Sequence, residues 1–374
     1  MIYLDNAATS YYKPECVIKS MINSTISMSA NAGRGGHKLS IKAMDMIYNA
    51  TASVAELFGI DNPENIAYTQ NATLALNMAI GGILDKGHHA VVTQMEHNSV
   101  LRPVNYYGNY TVVKADKNGY VNPLDIEKAI TPDTSLIVCT HASNVCGSIQ
   151  PVKEISMVAK KYNIPFLLDA AQTAGCYPLN IKEIGADMFA FSGHKGLMGP
   201  LGTGGLYVSD RIKLKSVISG GTGSNSESII QPDFMPDMLH SGTLNTPGII
   251  ALGEACRFIM HETPSAIHEK EKYLANVFIE DISCIKGITV YGDVAGKKLN
   301  GTVAFNINGV SSTAVSEYLD KNYNIITRAG FHCAPLAHKS LDTGGNGCVR
   351  VSFGYFNDLK DEKILAEALK NKAK

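Results

Sequence analysis

Residues 136–196 read LIVCTHASNVCGSIQPVKEISMVAKKYNIPFLLDAAQTAGCYPLNIKEIGADMFAFSGHKG, and this stretch decides the fold. Short apolar runs at residues 136–140, 166–168 and 188–191 alternate with a helical pattern at residues 151–162, which opens on a proline. Strands this short and apolar are typical of a sheet that is covered on both faces. The alternation predicts an α/β fold whose mostly parallel sheet is flanked by helices.

The pattern extends toward the N-terminus. Residues 90–95 and 205–209 have the same strand character, and residues 41–58 have helical spacing with Gly59 as a C-terminal cap. The predicted inward face of this helix carries Ile41, Met44, Ile47, Val54 and Phe58. We expect residues 14–260 to form a large domain that binds a cofactor.

The alternation of short apolar strands and helices ends near residues 258–264. A long amphipathic helix follows, with Ile267, Leu274, Phe278 and Ile282 facing inward, and it precedes strands at 288–291 and 302–307. Helical patterns at 313–322 and 359–372 complete this part of the chain. We expect a smaller α+β domain made of residues 1–13 together with 261–374.

The composition excludes several classes of protein. Of the 374 residues, 45% are hydrophobic and 18% charged, which argues against a disordered chain. Lys and Arg total 33 against 34 for Asp and Glu, so no nucleic-acid partner and no acidic membrane surface is predicted. There is no export signal and no apolar run of about 18–20 residues, so we expect a cytoplasmic protein with no membrane partner.

The eight cysteines do not form a predicted metal site. None of them makes a C-x-x-C pair and their gaps match no zinc-ligand spacing. We expect most of them to be buried thiols in a reducing compartment. They are Cys16, Cys139, Cys146, Cys176, Cys256, Cys284, Cys333 and Cys348.

Two residues suggest a pyridoxal 5'-phosphate site. Lys195 follows a buried strand in a glycine-rich stretch, where a desolvated lysine can act as an imine-forming nucleophile. Asp169 ends another buried strand. A carboxylate on the pyridinium nitrogen and a lysine in Schiff-base linkage are what this cofactor needs. Taken separately, a lysine is usually a surface group, and the aspartate could equally cap a helix.

A phosphate cradle is predicted where residues 68–73 lead into a helical run at 74–80. Thr73 and the neighbouring amides would lie at a helix N-terminus, which favours phosphate, although a threonine cap is also common there. His97 follows the strand that ends at Met95, and it could stack on a cofactor ring or simply be a hydrogen-bonded histidine at a strand end.

Cys333 differs from the other cysteines because Arg328 and His332 lie beside it in the sequence. Such surroundings can lower the pKa of a thiol and make it nucleophilic. Arg350 interrupts a strand-like run, and its guanidinium suits a bidentate bond to a substrate carboxylate.

In this order, the motifs resemble those of the class V aminotransferase group of fold-type I pyridoxal-phosphate enzymes. Within that group the chain is most similar to cysteine desulfurases of the second type, which also act as selenocysteine lyases. The matching segments are residues 3–9, 31–40 (with Arg34 to His37), 95–97, 141–147, 169–172, 192–195, 241–246 and 328–333.

The resemblance implies a role for each matching residue. Lys195 would hold the cofactor and move the substrate α-proton, Asp169 would bind the ring nitrogen, and His97 would stack on the ring. Gln172 would bond the phenolic oxygen. The predicted phosphate ligands are Ala72, Thr73, Ser192, His194 and, from a second subunit of a homodimer, Thr243. The predicted substrate ligands are His37, Asn144, Arg328 and Arg350.

Cys333 would attack the sulfur of cysteine, leaving alanine and a persulfide that passes to an acceptor protein, or it would assist release of selenium from selenocysteine. Three residues depart from the family pattern. Phe331 replaces a frequent histidine, Leu244 a frequent proline, and Leu74 a frequent acidic residue.

Two other functions remain open from the sequence. The first keeps the cofactor without a persulfide, as in an aminotransferase, an epimerase or a β-lyase. The second is a non-catalytic scaffold on the same fold. The sequence itself does not separate sulfur from selenium as the working element.

Overall fold

The computed structural model describes residues 1–32, 35–296 and 298–373, so Arg34 lies outside the described residues. The strands are β1 (Ile2–Tyr3), β2 (Ile66–Thr69), β3 (His89–Thr93), β4 (Asn109–Val113), β5 (Thr134–Thr140), β6 (Phe166–Asp169), β7 (Met188–Ser192), β8 (Gly204–Val208), β9 (Ile288–Tyr291), β10 (Thr302–Ile307), β11 (Ile325–Ile326), β12 (Arg328–Gly330) and β13 (Cys348–Ser352).

The helices are α1 (Glu15–Ser27), α2 (Lys38–Phe58), α3 (Ala72–Ile83), α4 (Asn98–Tyr107), α5 (Pro123–Lys128), α6 (Val152–Lys161), α7 (Ile181–Ile184), α8 (Thr246–Glu262), α9 (Pro264–Ser283), α10 (Ser312–Tyr323), α11 (Pro335–Leu341) and α12 (Leu359–Ala373). A single 3₁₀ turn, Pro63–Asn65, precedes β2. Among the described residues no helix is both long and apolar enough to span a membrane.

The larger sheet has seven strands in the order β2-β8-β7-β6-β5-β3-β4. All of them run parallel except β8, which is antiparallel to both of its neighbours. Two apolar clusters cover its faces, one around Phe58, Phe166 and Phe189 and the other around Leu76, Val92 and Leu167. The predicted α/β fold with a mostly parallel sheet flanked by helices is therefore confirmed.

The strands and helices predicted for this sheet are present, with ends that differ by at most three residues. One detail differs at α6, because Pro151 is the N-cap residue, with a non-helical ψ of 62°, and not the first helical residue. The predicted cap of α2 is present, since Gly59 adopts a left-handed conformation with φ of 65°.

The predicted inward face of α2 is wrong at its N-terminal end. Ile41 and Met44 are 48% and 49% exposed, whereas Val54 and Phe58 are buried against the sheet. Helix α2 packs on α8, and in its first two turns the buried residues are Ser40 and Ala43, so Ile41 and Met44 lie on the outward side of these turns.

A second, four-stranded antiparallel sheet, in the order β12-β13-β10-β9, lies in the C-terminal part of the chain. Helices α9, α10 and α12 pack against it around Phe278, Phe305 and Phe353. Strand β1 pairs in parallel with β11, which brings the N-terminus to this part of the molecule. This pairing agrees with the proposed grouping of residues 1–13 with 261–374; the domain bounds themselves stay a prediction.

Candidate active site

The predicted site residues gather at the carboxyl edge of the larger sheet. Strands β3, β5, β6 and β7 run in the same direction, and their carboxyl ends precede or carry His97, Asn144, Asp169 and Ser192. This edge is where open α/β sheets bind ligands.

Asp169 and Lys195 form the charged pair of the site. Asp169 is 3% exposed, and its Oδ1 accepts a hydrogen bond of 3.0 Å from the amide of Ala171. Burial raises the pKa of Asp169, and the nearby Lys195 partly offsets that rise. Burial also lowers the pKa of Lys195 to about 8, with Asp169 opposing the change. A lysine with this pKa is partly unprotonated near neutral pH, as an imine-forming nucleophile must be.

The peptide carbonyl that precedes Lys195 is held by the N-terminal segment. The carbonyl of His194 accepts bonds from the amide and hydroxyl of Ser10, the hydroxyl of Thr9 and the ammonium of Lys13, at 3.0 to 3.2 Å. These contacts fix the backbone from which the Lys195 side chain extends.

The N-terminus of α3 is arranged for an anion. Asn71 caps this helix by accepting a bond of 3.0 Å from the amide of Leu74. The amide of Ala72 donates to the hydroxyl of Ser192 at 3.2 Å. His194 is two residues after Ser192 in the sequence. Its Nδ1 is buried and has no hydrogen-bond partner. A helix N-terminus with hydroxyl and imidazole groups beside it is suited to a phosphate group.

Thr73 and His97 are linked through Ser99. The hydroxyl of Ser99 lies 2.9 Å from that of Thr73 and 2.7 Å from Nδ1 of His97. His97 also caps α4 by accepting a bond from the amide of Ser99 at 3.1 Å. Burial and the charge of Lys195 lower the pKa of His97 to about 4, so its imidazole is neutral.

For three predicted ligands the structure shows no arrangement that assigns them to a cofactor or substrate. The amide nitrogen of Gln172 donates to the carbonyl of Ala7 at 3.0 Å. His37 is an exposed N-cap residue of α2 that accepts from the amide of Ser40. Thr243 lies in an exposed segment before α8. Their roles toward a cofactor or substrate stay predictions.

Arg350 has a carboxylate partner within the chain. Its guanidinium is 1% exposed, and one Nη donates to Oδ1 of Asp5 at 2.5 Å while the other donates to the carbonyl of Asn144 at 3.0 Å. Its Nε has no hydrogen-bond partner. Arg328 is opposite Arg350 in the register of β12 and β13. The two guanidiniums and Lys195 make this part of the site attractive to a carboxylate.

Cys333 lies on a loop with an unusual backbone. Cys333 and His332 have φ of 57° and 50°, a left-handed conformation that costs free energy in residues other than glycine. The Cys333 carbonyl accepts a bond of 2.7 Å from the amide of Asn98, the residue after His97. The side-chain amide of Asn144 donates to the His332 carbonyl at 2.7 Å. The thiol-bearing residue is exposed and its loop is tied to the sheet edge.

His332 does not supply the positive charge that the sequence suggested beside Cys333. Its side chain is buried, and burial together with the charge of Arg350 lowers its pKa to about 2. The imidazole is therefore neutral. Its Nε2 lies 3.1 Å from the carbonyl of Cys348.

The structure shows what surrounds the three residues that depart from the family pattern. Phe331 is 47% exposed, and its ring meets that of His338 edge-on at 5.2 Å. Leu244 and Leu74 both pack against apolar clusters of the larger domain, where an acidic residue at position 74 would find no such contact.

The chemistry of these groups fits pyridoxal 5'-phosphate. The helix amides, Ser192 and the unpartnered His194 nitrogen suit its phosphate. Buried Asp169 suits the ring nitrogen, and Lys195, with its lowered pKa, suits the aldehyde. The fold is that of fold-type I pyridoxal-phosphate proteins, and the role of each residue toward the cofactor stays a prediction.

Comparison with known proteins places the chain more narrowly. It matches the model of the aminotransferase class-V family over residues 2–365, and it belongs to that family. A probable cysteine desulfurase from Methanothermobacter thermautotrophicus is 35% identical, over 98% of this chain and 94% of that protein. The cysteine desulfurase IscS from Dictyoglomus turgidum is 30% identical, over 85% of this chain and 79% of that protein.

The same relationship holds for solved structures. The apo structure of a cysteine desulfurase from Thermococcus onnurineus superposes with a TM-score of 0.92 at 32% identity, covering 100% of this chain and 94% of that one. The chain thus has cysteine desulfurases as relatives in both sequence and structure.

Sequence reasoning missed three contacts that shape the site. They are the pairing of Asp5 with Arg350, the bridge from Ser99 to Thr73 and His97, and the bond from Asn98 to the Cys333 carbonyl. A signal existed only for Ser99, which lies in the first turn of a helix, where small polar residues cap the chain. The other two join residues that are hundreds of positions apart.

Proposed function

We propose that this protein is a cysteine desulfurase that uses pyridoxal phosphate to convert L-cysteine to L-alanine, with a persulfide on Cys333. The observation that carries the proposal is the placement of Cys333. Cys333 is exposed, and its backbone carbonyl accepts a hydrogen bond from the amide of Asn98, the residue that follows His97. A thiol in this place is not needed for transamination but is needed for sulfur transfer.

The bound cofactor would supply an electron sink for the bonds of the substrate that are broken. Asp169 would hold a proton at the ring nitrogen, and His97 would cover the ring face. Ala72, Thr73, Ser192 and His194 would hold the phosphate. Gln172 lies close to Asp169 in the turn that follows β6, and it is the remaining cofactor ligand that we propose.

The side chains of this chain then position cysteine and move its protons. Arg350, through its free Nε, and Arg328 attract the substrate carboxylate, with Asn144 and His37 on the substrate side. Lys195 takes the α-proton and later returns a proton to carbon. Because its pKa is lowered to about 8, Lys195 can do both near neutral pH.

Cys333 performs the sulfur transfer. Its thiolate attacks the sulfur of the substrate, so a sulfur–sulfur bond forms while the substrate carbon–sulfur bond breaks. The electron pair of the broken bond stays with carbon, which is protonated to give alanine. The persulfide on Cys333 then passes its outer sulfur to a thiol acceptor, and the exposure of Cys333 leaves it accessible to an acceptor protein.

We also propose that the protein works as a homodimer in the cytoplasm. All eight cysteines are unpaired, as a reducing compartment requires. Thr243 is exposed beside a groove of about 380 Å³ that is lined by Met44, Tyr48 and Leu244. A partner subunit seated there would bring the Thr243 segment to the partner's phosphate site.

Turnover by cofactor-loaded protein tests the function. L-cysteine and L-selenocysteine are supplied without oxygen, and alanine and the released chalcogen are measured for wild type, Cys333→Ala and the buried control Cys256→Ala. We expect cysteine turnover to be lost in Cys333→Ala alone. Turnover of selenocysteine only would make the protein a selenocysteine lyase, and equal turnover in Cys333→Ala would favour a β-lyase without a persulfide.

A further inference from the structure

Three potential metal ligands lie together behind the Cys333 loop. His332 follows β12, His338 lies on α11, and Cys348 opens β13, and all three side chains are buried. One ligand atom from each lies within 4.8 Å of the other two. The mechanism proposed above uses none of these three side chains.

Two imidazole nitrogens in this cluster lack hydrogen-bond partners. His338 binds the hydroxyl of Thr343 through Nδ1 at 2.7 Å, which leaves its buried Nε2 free. His332 contacts the carbonyl of Cys348 through Nε2 at 3.1 Å, and its buried Nδ1 has no partner. Buried polar atoms of this kind normally have a partner, so Nε2 of His338 is available to a ligand. The nitrogen of His332 that faces Cys348 is Nε2, and the unpartnered Nδ1 is the other nitrogen of that ring.

Two ligand atoms of this cluster already have the separation found in a zinc site. Sγ of Cys348 lies 3.6 Å from Nε2 of His332. A tetrahedral zinc ion with Zn–N of about 2.05 Å and Zn–S of about 2.3 Å sets these two ligand atoms about 3.6 Å apart. The ligand atom of His338 lies within 4.8 Å of the other two, compared with a tetrahedral N–N separation of about 3.3 Å, so the His338 side chain must move inward to complete the third corner.

We propose that His332, His338 and Cys348 bind a zinc ion. Two imidazoles and one thiolate are a ligand set that Zn²⁺ prefers over Mg²⁺ or Ca²⁺, and the fourth position would be taken by water. Binding releases the proton of the Cys348 thiol to solvent. The Nε2 proton of neutral His332 moves to Nδ1, so Nε2 gives up its bond to the Cys348 carbonyl and takes the metal.

The position of the site gives it a consequence for Cys333. His332 is the residue before Cys333, and both have left-handed backbones. A metal ion bound to His332 joins this loop to α11 and β13, so zinc fixes the strained conformation that presents the thiol. Spacing along the chain could not predict the site, because its ligands come from three separate elements.

Zinc content and coordination test the proposal on the cofactor-loaded protein. Wild type is loaded with Zn²⁺ and dialysed, the metal is quantified, and X-ray absorption at the zinc edge reports its ligands. Affinity is measured by competition with a chromophoric chelator. His338→Asn keeps an atom that can bond Thr343 while removing Nε2, and Cys348→Ser removes the thiolate. Cys256→Ser is the matched buried control, and Cys333→Ala removes the exposed thiol.

We expect wild type, Cys256→Ser and Cys333→Ala to bind one equivalent with one sulfur and two imidazole ligands. His338→Asn and Cys348→Ser should bind more than about 100-fold more weakly, since loss of even a second-shell partner costs about 10- to 100-fold. The proposal is overturned if wild type retains no zinc, if neither variant weakens binding, or if Cys333→Ala abolishes it. If Cys348→Ser does not fold, His338→Asn decides the outcome alone.

Discussion

Asp5 is the residue whose importance is hardest to see without the structure. Its carboxylate pairs with Arg350, which is buried, while Asp5 itself is 17% exposed. A buried guanidinium that loses its carboxylate partner keeps its desolvation cost without compensation.

Asp5→Asn should therefore lower the free energy of unfolding by about 2 to 4 kcal/mol, because it strands the charge of Arg350. Chemical denaturation at neutral pH measures the change. Asp61→Asn is the control, since Asp61 pairs with Lys182 on the surface and its loss should cost less than about 0.5 kcal/mol. Equal losses in the two variants would contradict the account of Arg350.

Glu271 of α9 predicts a pH dependence of stability. It is buried in a cavity that also reaches Lys195, and burial raises its pKa to about 8. The folded protein therefore holds a proton on Glu271 that the unfolded chain releases above its ordinary pKa of 4.5. Stability from this group is complete at low pH and is lost as the pH rises from about 4.5 to 8.

Glu271→Gln should remove that dependence. Between pH 5 and 8, wild type should lose stability relative to Glu271→Gln by about 1 kcal/mol per pH unit. Denaturation midpoints across this range provide the measurement, with the exposed Glu269→Gln as control. Parallel pH profiles for wild type and Glu271→Gln would show that the carboxyl is not held protonated.

At this scale the sequence predicts which residues carry chemistry better than it predicts their partners. Lys195 and Asp169 were identifiable because one follows a buried strand and the other ends one. The bond from Gln172 to Ala7 was not, since the two residues are 165 positions apart and nothing local signals the contact. Contacts of this kind depend on how the N-terminal segment returns to the sheet edge.

Among the elements, α3 is where we expect one side chain to affect both stability and cofactor binding. Asn71 caps its N-terminus, where the amides of Ala72 and Thr73 would meet the phosphate. The capping bond fixes the first turn, so the same side chain should affect both properties.

Asn71→Ala should cost about 1 kcal/mol of stability and weaken cofactor affinity several-fold, because the first turn of α3 frays. Asn180 caps α7 in the same way, by accepting from the amide of Glu183, and α7 carries none of the predicted cofactor ligands. Asn180→Ala should lower stability without changing affinity, measured by cofactor titration of the apo-protein. A loss of affinity as large in Asn180→Ala would argue against a phosphate site at α3.

Strands were predicted more accurately than helix faces, for a physical reason. Strand β6 is buried on both sides, so its apolar run marks its position whatever packs on it. The first turns of α2 are apolar too, but Ile41 and Met44 are exposed in the single chain. Apolar residues at helical spacing reveal a face that will be covered, and they do not reveal what covers it.

For the whole molecule, the exposed apolar residues indicate where a second subunit would bind. On α1 they recur at every fourth position, and on α2 at every third or fourth. They are Ile18, Ile22, Ile26, Ile41, Met44 and Tyr48. Helices α1 and α2 both pack on α8, and we propose that their exposed apolar side chains form one surface for the second subunit.

Met44→Lys should shift the protein from dimer to monomer, because it sets a charge in the middle of this apolar surface. Sedimentation velocity at micromolar concentration measures the change. Met157→Lys is the control, since Met157 is equally an exposed methionine on a helix, α6. A wild-type monomer, or a dimer that survives Met44→Lys, would refute the assignment of this surface.

The central claim is that Cys333 carries the transferred sulfur. Peptide mass spectrometry of the holoenzyme after reaction with cysteine tests it most directly. The protein is given a single equivalent of L-cysteine without oxygen, quenched by alkylation, digested and mapped. We predict one added sulfur atom on the peptide that contains Cys333, matched by one equivalent of alanine. Alanine formed with no sulfur on Cys333, or sulfur found on another cysteine, would contradict the account.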